Sequence, residues 1–128
     1  MKRLLKGFLV TCATVLLIGV VALAETASLK VASGSTSAVQ TAQNDASAAV
    51  GGANIVSVSG DIISFDNRAY MYLSVDKRKL YMEVFLKSIK SNGSLGAKER
   101  NSIYNFIASQ DTEITQALKY ITEDTSAD

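Results

Sequence analysis

Asp61 and Asp66 flank a short apolar run, and a pair of carboxylates is the least that glycoside hydrolysis requires. Glu83 is a third acid in the same half of the chain. Asp61 follows Gly60, however, and Asp66 precedes Asn67-Arg68. Both are turn signals, in which a short polar side chain bonds its own backbone. Turn chemistry therefore explains both acids without catalysis. A hydrolase built on Asp61, Asp66 or Glu83 stands third among the functional readings of this chain. Ser88 beside Lys87 and Lys90 has the composition of a Ser/Lys dyad, a proximity that often arises by chance. Asn92-Gly93-Ser94 matches a glycosylation acceptor and reads equally as a helix stop followed by a cap.

Absences narrow the chemistry further. The chain has no histidine, and its single cysteine, Cys12, falls in an N-terminal apolar run. Cutting the chain after Ala24 would leave 10 basic and 12 acidic side chains with neither cysteine nor histidine. Such a product can form no disulfide. Zinc, haem, copper and iron–sulfur centres lose their usual ligands. A cysteine nucleophile and a Ser-His-Asp triad are excluded. The expectation is no catalytic residue, no metal and no cofactor. The near balance of charge also argues against nucleic acid, which calls for a basic domain.

That cut is suggested by the first 24 residues. Lys2, Arg3 and Lys6 precede an apolar run from Phe8 to Ala24, and no acid occurs before Glu25. A basic head, an apolar middle and small residues at Ala22 and Ala24 form an export signal of bacterial type. The run is 17 residues, at the short limit for a membrane-spanning helix, so an uncleaved anchor over residues 8–24 is the alternative. A lipoprotein would end its apolar run at the acylated cysteine, whereas this run continues well past Cys12. Type IV prepilins carry a glutamate at the fifth mature position, where a cut between Gly7 and Phe8 would place Cys12.

The elements that must position any chemistry come next. Residues 25–53 are mostly Ala, Ser, Thr, Gly, Val and Gln, without an aromatic residue. Such a segment buries too little surface to offset its ordering entropy, and it reads as a flexible linker. Eight of the nine aromatic residues lie between Phe65 and Tyr120, which places a small α+β domain at 54–122 and a polar tail at 123–128. Its first part reads as an antiparallel β-meander of two or three strands. Ile55–Val58 and Ile62–Phe65 surround the Gly60-Asp61 turn, and Tyr70–Leu73 alternates aromatic and aliphatic residues. Three helices follow. The first spans 75–90, capped by Ser74 with Asp76 in its first turn and ended by Asn92-Gly93. A second covers 95–108, and a third covers 112–122 with Ser109 or Asp111 as cap. Leu80, Tyr81, Met82, Val84, Phe85, Leu86 and Ile89 surround most of the first helix, so it must be enclosed on several sides.

Two surfaces emerge from this pattern. Tyr70 and Tyr72 share a face if their segment is a strand, and tyrosine suits interfaces because its ring buries area while its hydroxyl stays wet. Lys77, Arg78, Lys87 and Lys90 make the first helix basic. These six residues are the candidate interaction surface. The partner expected is another protein or a second copy of the chain, with a membrane surface as a further option for the basic helix. The leading reading is an exported, non-catalytic interaction domain at a bacterial envelope. The second is an N-terminally anchored structural or accessory subunit of a secretion, conjugation or pilus-like assembly. Intact mass separates them: the exported form should begin at Glu25, and a mass that still includes residues 1–24 would favour the anchored form.

Overall fold

The structure, a computed structural model, describes residues 26–127. The export signal expected from the sequence, with Ala22, Ala24 and Cys12, lies outside them. The fold is α+β, with a three-stranded antiparallel sheet and a layer of helices. In chain order the elements are β1 (Thr26–Lys30), α1 (Thr36–Ala49), β2 (Val56–Ser59), β3 (Ile62–Asp66), α2 (Asn67–Met71), α3 (Val75–Ser91), α4 (Ala97–Ala108) and α5 (Thr112–Ala127). A single 3₁₀ turn, Ser109–Asp111, joins α4 to α5. Among the described residues, no helix is long and apolar enough to cross a membrane.

The hairpin of β2 and β3 forms where the sequence places it, and Gly60 takes a φ of 63° at its turn. The third strand is a correction. It is β1, which lies on the far side of β3, so the strand order is β1-β3-β2 and not that of a meander. Thr26 pairs with Asp66, Lys30 with Ile62, and Val56 with Phe65. Alternation turns Val56, Ile63 and Phe65 into the core. On the other face Ser28, Ser64 and Ser57 stand in register across the three strands. The outer face is thus a serine row, not a tyrosine platform.

A second correction concerns residues 25–53, which are not a linker. Thr26–Lys30 is a strand, and α1 places Ala38, Val39, Ala42, Gln43 and Ala46 in the core. Spacings of three and four put these residues on one side of the helix. Their small side chains let α1 lie against α3, the broadest helix–helix contact among the described residues. The helix ends at Val50, and Gly52 N–H donates to Ser47 O at 2.7 Å with Gly51 at a φ of 89°. The folded unit therefore begins before residue 54. At the other end α5 runs to Ala127, so residues 123–127, expected as a polar tail, continue that helix.

Helix α3 is the enclosed central element the sequence predicts. Ser74 Oγ accepts from Lys77 N–H at 3.3 Å as its cap. Tyr81, Phe85 and Ile89 form one buried row, and Met82 and Leu86 the next. Helices α1, α4 and α5 all pack on it. Helix α4 contributes Ile103 and Ile107, and α5 contributes Leu118. Asp111, not Ser109, caps α5, its Oδ1 accepting from Ile114 N–H at 3.2 Å.

One buried amide joins three of these elements. Gln43 Oε1 on α1 accepts from Val56 N–H of β2 at 3.0 Å and from the Tyr81 hydroxyl of α3. Its Nε2 donates to Ala53 O at 3.2 Å and reaches Asn54 Oδ1 at 3.4 Å. Replacing Gln43 by Ala leaves a backbone N–H and a phenol buried without partners, at about 1–3 kcal/mol for each such group. Q43A should lower the melting temperature by at least about 5 °C. Adding Tyr81→Phe to Q43A should cost less than the two single losses combined. Additive losses in that double-mutant cycle would show that the two side chains are not coupled.

Candidate interaction surface

The short helix α2 replaces the strand expected at Tyr70–Leu73. Asp66 caps it, with Oδ1 accepting from Ala69 N–H at 3.0 Å. This helical path separates the two tyrosines. Tyr70 is 1% exposed and belongs to the core, whereas Tyr72 is 86% exposed. Tyr70 therefore drops out of the candidate surface. Its ring lies 5.2 Å from that of Phe65 and 6.4 Å from that of Tyr81, and Tyr81 stacks on Phe85 at 5.9 Å.

The Tyr70 hydroxyl donates to Asp111 Oδ2 at 2.8 Å. Asp111 thus ties α2 to the start of α5 while also capping that helix. Burial, then the hydrogen bond to the Asp111 carboxylate and its charge, push the Tyr70 hydroxyl far above its ordinary value of 10.0. Burial does the same to Tyr81.

What remains exposed is a corner between α2 and α3. Met71 is 59% exposed and Val75 60%, and they flank Tyr72 in sequence. Arg78 braces this corner from beneath. Its Nε donates to Leu73 O at 3.1 Å, Nη1 lies 3.5 Å from Met71 Sδ, and the guanidinium sits 6.0 Å from the centre of the Tyr70 ring. Arg78 acts there as a structural clamp and half-buried cation, while neighbouring Lys77 is exposed.

The structure does not bring the four candidate cations of α3, Lys77, Arg78, Lys87 and Lys90, together. Lys87 pairs with Glu83 at 3.2 Å on the polar stripe of the helix. Lys90 lies in the last turn, about 18 Å along the axis from Arg78. It lines a cleft with Arg100 of α4 and Lys119 of α5, two residues absent from the sequence-based set. They come from separate helices, and only the packing of those helices signals their proximity.

The carboxylates proposed for hydrolysis are also apart. Asp61 and Asp66 sit at opposite ends of β3, about 17 Å apart at the usual strand rise. Paired glycosidase carboxylates require roughly 5–9.5 Å. Asp61 lies 3.9 Å from Lys30, Asp66 is a helix cap, and Glu83 is paired with Lys87. Ser88 is one residue from Lys87 and two from Lys90, spacings that do not share a helix face. Asn92 Oδ1 accepts from Ser94 N–H at 2.8 Å, a local turn that accounts for the Asn-Gly-Ser run. Among the described residues, no three His, Cys, Asp or Glu side chains are grouped to hold a metal ion.

No protein-family model matches the chain, and neither curated proteins nor solved structures give a significant match.

The raised tyrosine values have a definite consequence for stability. Unfolded tyrosine ionises near pH 10, whereas folded Tyr70 and Tyr81 hold their protons beyond that point. Their contribution is complete below about pH 10 and is lost as the pH rises above it, by up to ~1.4 kcal/mol per pH unit for each tyrosine. Denaturant melts at pH 9–11.5 should show this fall, shallower in Tyr70→Phe. Equal slopes for the two proteins would contradict the role given to Tyr70.

Proposed function

We propose that this chain is an exported, non-catalytic protein-interaction domain of the bacterial cell envelope, docking through the α2–α3 corner. The observation that supports this reading is the exposure of Met71, Tyr72 and Val75 together on a corner braced by Arg78. Exposed tyrosine and methionine are favoured at interface centres, and an anchored corner loses little freedom on binding. Lys77 and Arg68 flank the apolar residues in sequence, which suits a partner or second copy with an acidic rim.

Export rests on the basic head and apolar run of residues 1–24. If that run is kept, the same corner would serve an envelope-anchored accessory subunit. Both readings share the mode of action, which is surface recognition without bond-making.

Replacing Met71 and Tyr72 together by Ser tests it. Both side chains are exposed, so the stability should change by no more than about 0.5 kcal/mol. Self-association measured by light scattering, or capture of an envelope protein by crosslinking in cells, should weaken at least about thirtyfold, the usual effect of losing an interface anchor. Association unchanged in the double variant would remove the corner from consideration.

A further inference from the structure

We propose that strand β1 is a docking edge for a second copy of the chain, the two β1 strands pairing antiparallel about Ser28 to join two sheets into one of six strands. The order β1-β3-β2 leaves the sheet with two edges. The fold guards the β2 edge itself: α1 packs against this strand, and Val56 N–H, directed away from β3, donates to Gln43 Oε1 at 3.0 Å. The β1 edge is left open. Val31 N–H donates to Asp61 O at 2.8 Å, so by alternation Ala27, Leu29 and Val31 turn their backbone groups to β3. Thr26, Ser28 and Lys30 turn theirs away from it, and among the described residues no strand pairs with them on that side. Glu99 Oε1 accepts from Ala32 N–H at 3.3 Å and ends the open edge there.

A free edge templates another strand, and folds that must avoid this use proline, a bulge or several charges. Strand β1, Thr-Ala-Ser-Leu-Lys, has no proline, pairs with β3 residue for residue and carries one charge. Its inner face is also less covered than that of its neighbour. Ile63 and Phe65 of β3 are fully buried, whereas Ala27 and Leu29 on the same face are only half-buried. Helical packing therefore stops short of β1 and leaves apolar surface beside the open backbone.

The strand complements itself. A two-fold axis at Ser28 sets this residue opposite its own copy, Thr26 opposite the partner's Lys30, and Ala27 opposite the partner's Leu29. All three outward residues then form hydrogen-bonded pairs, and two Ala–Leu contacts cover the half-buried face. Charge agrees with this register. Asp66 stands in register with Thr26 at one end, and the Lys30 side chain is 76% exposed at the other, 3.9 Å from Asp61. Antiparallel pairing brings Lys30 to the partner's Asp66 end, about 10 Å away at two strand spacings. Parallel pairing would instead set Lys30 against Lys30. This edge is separate from the α2–α3 corner and does not depend on it.

Cysteine crosslinking of the full chain in a Cys12→Ser background tests the register. Cα atoms of a hydrogen-bonded antiparallel pair lie about 5.5 Å apart, within disulfide range. Ser28→Cys should therefore form a covalent dimer on mild oxidation. Lys30→Cys alone should not, since its two copies lie roughly 14 Å apart along the strands, but Lys30→Cys mixed with Thr26→Cys should. In the chain without these cysteines, light scattering over a concentration series should show a reversible dimer. Ser28→Asp faces two carboxylates across the axis and should weaken that dimer at least about tenfold. Ser28→Pro removes an N–H directed away from β3 and should do the same. Thermal melts of both variants check that each monomer still folds. The S28C crosslink should persist in the M71S/Y72S variant, whether or not the corner binds a partner. A chain that stays monomeric, an S28C variant that links only to another protein or not at all, or a dimer indifferent to both S28D and S28P overturns the proposal.

Discussion

The side-chain amide of Gln43 is the constraint around which the fold is arranged. A buried amide is tolerated only when its donors and acceptors are met, and here they are met by three different elements. Val56 N–H of β2, the Tyr81 hydroxyl of α3 and the backbone of the α1–β2 connection converge on it. The energy gained on forming α1 alone is small, because its buried residues are chiefly alanines. Once α1 docks, however, misplacing it by one turn would leave Gln43, Val56 and Tyr81 all unsatisfied. The amide therefore sets the register of α1 against both the sheet and the central helix. Apolar packing, which is non-directional, could not set it as sharply.

Tyr70 and Asp111 apply the same logic at the other end of the aromatic row. The rings of Phe65, Tyr70, Tyr81 and Phe85 follow one another through the core, and the Tyr70 hydroxyl needs an acceptor at its end. Asp111 provides one while also capping α5. The route of the chain through α2 follows from this demand. With Tyr70 turned inward, Tyr72 must turn outward, and the exposed corner results from satisfying a buried phenol.

The parts of the fold legible in the sequence are those with local signals. Ser74, Asp111 and Gly60 each act through neighbours within three residues, and helix caps and the hairpin turn follow directly from residue type. The segment Tyr70–Leu73 is ambiguous because alternation of apolar residues over four positions fits a strand and equally a short helix with its exit. Asp66 was the discriminating residue: the side-chain capping that reads as a turn also starts α2. Residues 25–53 read as a linker on side-chain mass alone. Large apolar side chains are scarce there, yet Ala38, Ala42 and Ala46 recur every four residues, and small residues on a helical face favour close approach to another helix. The reach from Lys30 back to Ile62 or from Gln43 to Tyr81 carries no local signal at all.

The same distinction explains why the sequence pointed to one surface and missed another. Lys77, Arg78, Lys87 and Lys90 are conspicuous as a run on one helix, but helical geometry disperses them, and Arg78 holds Leu73 O while Lys87 holds Glu83. Lys90, Arg100 and Lys119 are unremarkable singly in sequence, and packing of three helices concentrates them. Lys90 alone is favoured where it stands, in the last turn of α3, by the negative end of the helix dipole. Arg100 has the opposite situation at the start of α4. A cation held against its own helix dipole with a buried Nε is retained by the surrounding fold, since Leu95 and Ile103 on either side of it are core residues. The position of α4 is therefore dictated by apolar packing, and the charge it carries into the cleft follows from that packing.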